Sequence, residues 1–179
     1  MPIPALRRLK RITLSICAPL LPLMAMSATT LFAQIDRARD GPWPDFAKYY
    51  SEAATYGDQN QRDAAVKSMQ DMSKALDAVE EFTDDIPSRL NASNLRDLAA
   101  EAQEFLNAIK DFRGKASSLQ QKLGTADESL SSDLSAFRSA WDVVNAKYTA
   151  LWVSFQNTGK DIGGKYEALK ATCTGGCLP

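Results

Sequence analysis

Cys173 and Cys177 are the residues whose type and spacing come closest to covalent chemistry. They enclose Thr174-Gly175-Gly176, and the two glycines let so short a loop close. In an oxidising compartment the pair is expected to form a disulfide. A loop this small adds at most ~2 kcal/mol and orders only the tail. Thiol exchange is the sharper alternative, but it favours a Cys-x-x-Cys beside a thioredoxin-like pattern, which the sequence lacks. Two thiolates alone also make a poor zinc site, because a closed one needs four ligands.

Other chemistry is bounded by what the chain does not contain. It has no histidine. That removes Ser-His-Asp and Cys-His catalysis, histidine-ligated haem and the Glu-x-x-His sites of di-iron bundles. Met69 and Met72 form a Met-x-x-Met that would suit copper(I). Both fall on an apolar helix face, where core packing is the better reading. Glu80, Glu81, Asp84 and Asp85 cluster without any sign of a cleft that would separate their acidities for acid–base work. A solvated face is expected there. No phosphate-binding glycine loop or nucleophile elbow occurs. The sequence therefore predicts no enzyme, no cofactor and no metal site.

The elements around these residues are helical. Leu95, Leu98, Ala102, Phe105, Ile109, Phe112, Ala116, Leu119 and Leu123 recur at alternating steps of three and four. So do Leu130, Leu134, Phe137, Trp141, Val144, Tyr148, Leu151 and Phe155. Each set occupies one face of a helix and requires a partner to cover it. Gly124 and the capping-box pattern Thr125-Ala126-Asp127-Glu128 lie between the two runs, so the helices are expected to fold back as an antiparallel pair over 94–123 and 125–157. A stripe of Ala65, Met69, Met72, Leu76, Val79 and Phe82 predicts a further helix over 60–84. Pro44 is expected to open a short first helix over 45–56. Asp85-Ile86-Pro87-Ser88 is expected to be a connection, with Ser93 or Asn94 capping the helix that follows. Gly159, Gly163 and Gly164 predict a break before a last helix over 160–172.

The N-terminus has the pattern of an export signal. Arg7, Arg8, Lys10 and Arg11 precede an apolar stretch over 12–26, and Leu31 and Ala33 precede a cleavage point before Gln34. Ala28 is a second possible point, and an uncleaved membrane anchor is the alternative. Loss of residues 1–33 takes four of the 21 basic residues and none of the 22 acidic ones, leaving a net charge of −5. That balance disfavours nucleic acid and anionic membrane as partners. The domain organisation expected is a signal peptide (1–33), an irregular lead-in (34–44), a helical domain (45–172) and a disulfide loop (173–179).

The fold expected is all-α: an elongated antiparallel bundle of three to four helices, with coiled-coil-like heptad packing. This architecture resembles that of the helical minor pilus subunits of type IV secretion systems, a likeness of shape carried by no motif. The function expected is non-enzymatic protein–protein interaction in the bacterial envelope, periplasmic or secreted, as a pilus-associated or secretion-system component. A periplasmic immunity protein, inhibitor or chaperone is the alternative, and a metal or small-ligand carrier a further one. A second copy of the chain is another partner to consider. Trp43, Tyr49, Tyr50 and Tyr56 are the expected partner-binding residues, because tyrosines suit interfaces with one wet edge.

Overall fold

The computed structural model describes residues 33, 36–37, 39–125 and 130–172, with side chains up to 165. The expected export signal, apart from residue 33, and the expected Cys173–Cys177 disulfide loop lie outside the described residues. Among the described residues the chain is all-helical: α1 (Pro42–Asp58), α2 (Arg62–Thr83), α3 (Ile86–Ala92), α4 (Arg96–Thr125) and α5 (Leu130–Thr172). None of these helices is long and apolar enough to cross a membrane.

The connections follow from local chemistry. α1 runs two residues past its expected end, and Asn60 then takes the left-handed conformation at φ 56°. The amides of Asn60 and Gln61 donate to the carbonyls of Gly57 and Tyr56, closing the helix with a Schellman motif. Gly57 serves a different purpose: a Cβ there would lie 3.1 Å from Leu134 Cδ1, so the absent side chain lets α1 approach α5. Asn94, at φ 59°, closes α3 in the same way. Its amide and that of Leu95 reach the carbonyls of Asn91 and Leu90. Asn94 therefore ends α3 rather than capping α4.

Three further expectations are corrected. Residues 86–92 form a helix, because Pro87 stands in its first turn, where proline costs no hydrogen bond. The described residues at 36–37 and 39–40 are helical rather than irregular, and α1 begins at Pro42, not 45. α5 is one continuous helix of 43 residues that runs through Gly159, Gly163 and Gly164 without a break. Thr125 is the last described residue of α4, its hydroxyl donating to the carbonyls of Gln121 and Lys122; the rest of the capping-box pattern, 126–128, lies outside the described residues.

The packing is built from two helix pairs. α1 packs along α2, and α4 along α5; α2 and α3 also pack on α4. One buried cluster joins them, and it includes every position of the first heptad run from Leu98 to Leu123. In the second run Leu134, Phe137, Val144, Leu151 and Phe155 are buried, with Leu130, Trp141 and Tyr148 packed against them. Ion pairs fix the register. Lys122 reaches Asp133 at 2.5 Å and Lys147 reaches Glu104 at 2.5 Å, both between α4 and α5. That register matches the start of α4 with the region of Phe155 to Asn157. α5 therefore continues beyond α4 for roughly four turns, about 24 Å at 1.5 Å per residue.

Candidate functional site

α1 carries the aromatic residues singled out by their clustering. Trp43, Phe46 and Tyr50 fall at steps of three and four, so they share one helix face. That face meets α5. The backbones of α1 and α5 come close at few points, and planar rings fill the space between them. Tyr50 stacks on Trp141 with centroids 4.1 Å apart and planes at 12°. Trp141 lies 5.9 Å from Trp43 at 17°, and Trp43 lies 3.6 Å from Tyr148 at 11°. The four rings thus alternate between the helices in a near-parallel column. Phe46 closes it from one side, edge-on to Trp43, Phe112 and Trp141.

This divides the expected partner-binding set. Trp43 is buried and Tyr50 is half-buried in the column, where their faces are occupied by other rings. These two are core residues, because the apolar face of α1 begins at 43 and not at 46. Tyr49 and Tyr56 lie on the flank of the same helix, half-buried against the cluster and half in contact with solvent. Lys48 Nζ stands 5.2 Å from the Tyr49 ring centroid. Glu52, between the two tyrosines, accepts a long 3.4 Å hydrogen bond from Ser68 on α2.

The column ends in a polar environment that the sequence did not reveal. The Arg39 guanidinium sits 4.3 Å over the ring of Trp152. The Tyr148 hydroxyl is buried with no hydrogen-bond partner, as is Glu101 Oε2. Burial pushes the Tyr148 phenol up to about 12; Arg39 opposes the shift, and Asp40 and Asp36 add to it. Burial also raises Tyr50, with Asp142 adding to the effect. The signal in the sequence is the i,i+4 spacing of Arg39 and Trp43, which places both on one face of a helix that begins before Pro42.

The acidic residues of α2 border a recess of about 350 Å³, lined by Asp77, Glu80, Glu81 and Asp84 with Leu106 and Lys110 of α4. Arg113 bridges two of them, donating to Asp77 at 2.7 Å and Glu80 at 2.8 Å. Asp85 stands apart and pairs with Arg89 at 3.4 Å. A second recess of about 420 Å³ lies at the other end of α2, where Arg62, Lys67 and Gln70 face Leu123 and Gly124. Met69 and Met72 are buried in the core, 1% exposed each, so their sulfur atoms pack against apolar neighbours. Among the described residues no group of three or more His, Cys, Asp or Glu is placed to hold a metal ion.

The described residues thus offer two separate surface features: the partly exposed phenols of Tyr49 and Tyr56 on α1, and the acidic recess between α2 and α4. Comparison with protein-family models, with curated proteins and with solved structures finds no match for this chain.

Proposed function

We propose that the chain is a non-enzymatic helical-bundle protein that acts through protein–protein contact in the bacterial envelope, as a periplasmic or pilus-associated component of a secretion or conjugation machine. The observation that carries this reading is the placement of Tyr49 and Tyr56. Both are partly exposed on the flank of a helix whose adjoining face is locked by the Trp43, Phe46 and Tyr50 contacts. Rigid aromatic side chains with one wet edge lose little entropy on docking and commonly anchor interfaces. The export pattern of residues 1–33 supplies the compartment. In this reading the leader is removed, Cys173 and Cys177 form a disulfide, and the two heptad seams interlock as in a coiled coil within an elongated bundle.

A second reading has a specific observation in its favour. The recess lined by Asp77, Glu80, Glu81 and Asp84 suits a basic partner, as an immunity or inhibitor protein would require. One experiment separates the two. A photo-crosslinking residue is placed at Tyr49, Tyr56 or Glu81 in the native host, and captured proteins are identified by mass spectrometry. Capture of pilus or secretion-channel proteins from Tyr49 and Tyr56 supports the first reading. Capture of one basic exported protein from Glu81 supports the second. No capture from any position, with the variants folded and exported, removes both.

A further inference from the structure

The solvent side of α5 carries less charge than that of α2. Exposed positions of α2 are Asp63, Lys67, Gln70, Lys74, Asp77 and Glu81, all but one charged. Between 131 and 157 the exposed positions of α5 carry one charge, Asp142; the rest are Ser, Ala, Val, Thr, Asn and Gln. The basic residues of this segment turn to the sides, Arg138 to Asp58 of α1 and Lys147 to Glu104 of α4. The exposed large hydrophobics of the described residues both lie here: Val143 at 51% and Val153 at 48%. Charge depletion with exposed apolar side chains is the compositional mark of an interface centre.

The order of residues identifies what fits it. Val143, Ala146, Ala150 and Val153 recur at steps of three, four and three, so they share one line along the helix. Ser139 and Asn157 continue that line at either end. The sequence of types (polar, Val, Ala, Ala, Val, polar) is the same in both directions and is centred on position 148. We propose that this face binds a second copy of the chain, the two α5 helices packing antiparallel about a twofold axis level with Tyr148.

In that arrangement Val143 meets Val153 of the second copy, Ala146 meets its Ala150, and Ser139 meets its Asn157. A twofold interface must be self-complementary in this way. The alanines at the centre let the helix axes approach to about 8 Å. Charge selects the direction. Antiparallel pairing holds the two Asp142 carboxylates about 18 Å apart, twelve residues along the axis. Parallel pairing would set them side by side. The face from Ser139 to Asn157 is about 28 Å long and one helix wide. That is well short of the roughly 800 Å² per partner of a standard interface, so the dimer forms weakly and reversibly. This inference does not depend on the proposed function.

Sedimentation of the protein as purified from its native host is expected to show monomer at low micromolar and dimer toward millimolar concentration. Ala146→Glu should abolish the dimer and leave the melting temperature unchanged, because position 146 is exposed. Geometry is tested by disulfide trapping with peptide mapping. Val143→Cys combined with Val153→Cys should link 143 to 153 between chains; Val143→Cys alone should not link, its two copies standing about 15 Å apart. Monomer at every concentration, a dimer indifferent to Ala146→Glu, or efficient linkage by Val143→Cys alone would each overturn the proposal.

Discussion

The indole of Trp43 lies on the phenol ring of Tyr148, with centroids 3.6 Å apart and planes 11° from parallel. This contact ties α1 to α5 where their backbones stand apart. Trp43→Ala removes one layer of the ring column and leaves a void among the rings of Phe46, Phe105, Trp141 and Tyr148. It is expected to cost about 3–5 kcal/mol, much of a typical domain's stability. Phe105→Ala, at a position 1% exposed, should cost about as much. Thermal or urea unfolding measures both; an unchanged midpoint would mean that the rings do not pack.

Tyr148 gives the alkaline limb of stability a predictable form. Its phenol is pushed up to about 12 in the folded protein, chiefly by burial, against about 10 in an unfolded chain. Below pH 10 both states hold the proton and nothing is lost. Above it the unfolded chain releases the proton first, so stability falls from about pH 10 toward 12. Tyr148→Phe should reduce that fall. It also removes a buried hydroxyl that has no partner, so at neutral pH the change should be neutral or stabilising by about 1 kcal/mol. Urea unfolding at neutral and alkaline pH reads both effects.

Arg113 holds α2 to α4 through Asp77 and Glu80, but its side chain is 35% exposed. Solvent therefore screens the pairs, and Arg113→Ala should cost no more than about 1 kcal/mol. The difference from the parent should shrink as salt is raised. A larger, salt-independent loss would show that the aliphatic stem of Arg113, not its charge, matters.

Gly163 and Gly164 stand in open space on α5, with nothing within 4 Å of an added Cβ. Each glycine costs a helix interior about 1 kcal/mol against alanine. Gly163→Ala and Gly164→Ala should slow amide hydrogen exchange across 158–165 and leave the global melting temperature nearly unchanged. Unaltered exchange would argue that this stretch is not helical.

The long runs of α4 and α5 were legible because a buried face repeats over many turns, and a strict three–four spacing has few other physical meanings. Short or punctuated elements were not. Pro87 looked like an interruption, though proline in a first turn satisfies its own constraints. Gly159, Gly163 and Gly164 looked like a break, yet α5 tolerates all three. Trp43 and Tyr50 looked like an aromatic patch for a partner. Their role depends on Trp141 and Tyr148, about a hundred residues away, and no local pattern carries that pairing. Tyr49 and Tyr56, on the flank of the same helix, cannot be told from them by spacing alone. The contact of Arg39 with Trp152 is likewise hidden by Gly41, Pro42 and Pro44, which give 34–44 the pattern of an irregular segment.

The unbroken course of α5 has a mechanical consequence. A helix interrupted at its glycines would hinge, and a pull at its far end would dissipate there. A continuous rod transmits bending. Displacement of the overhanging turns is carried along one axis to Phe155, Trp152 and Tyr148, and so to the ring column that secures α1. Anything that grips the overhang gains leverage on the seam between α1 and α5.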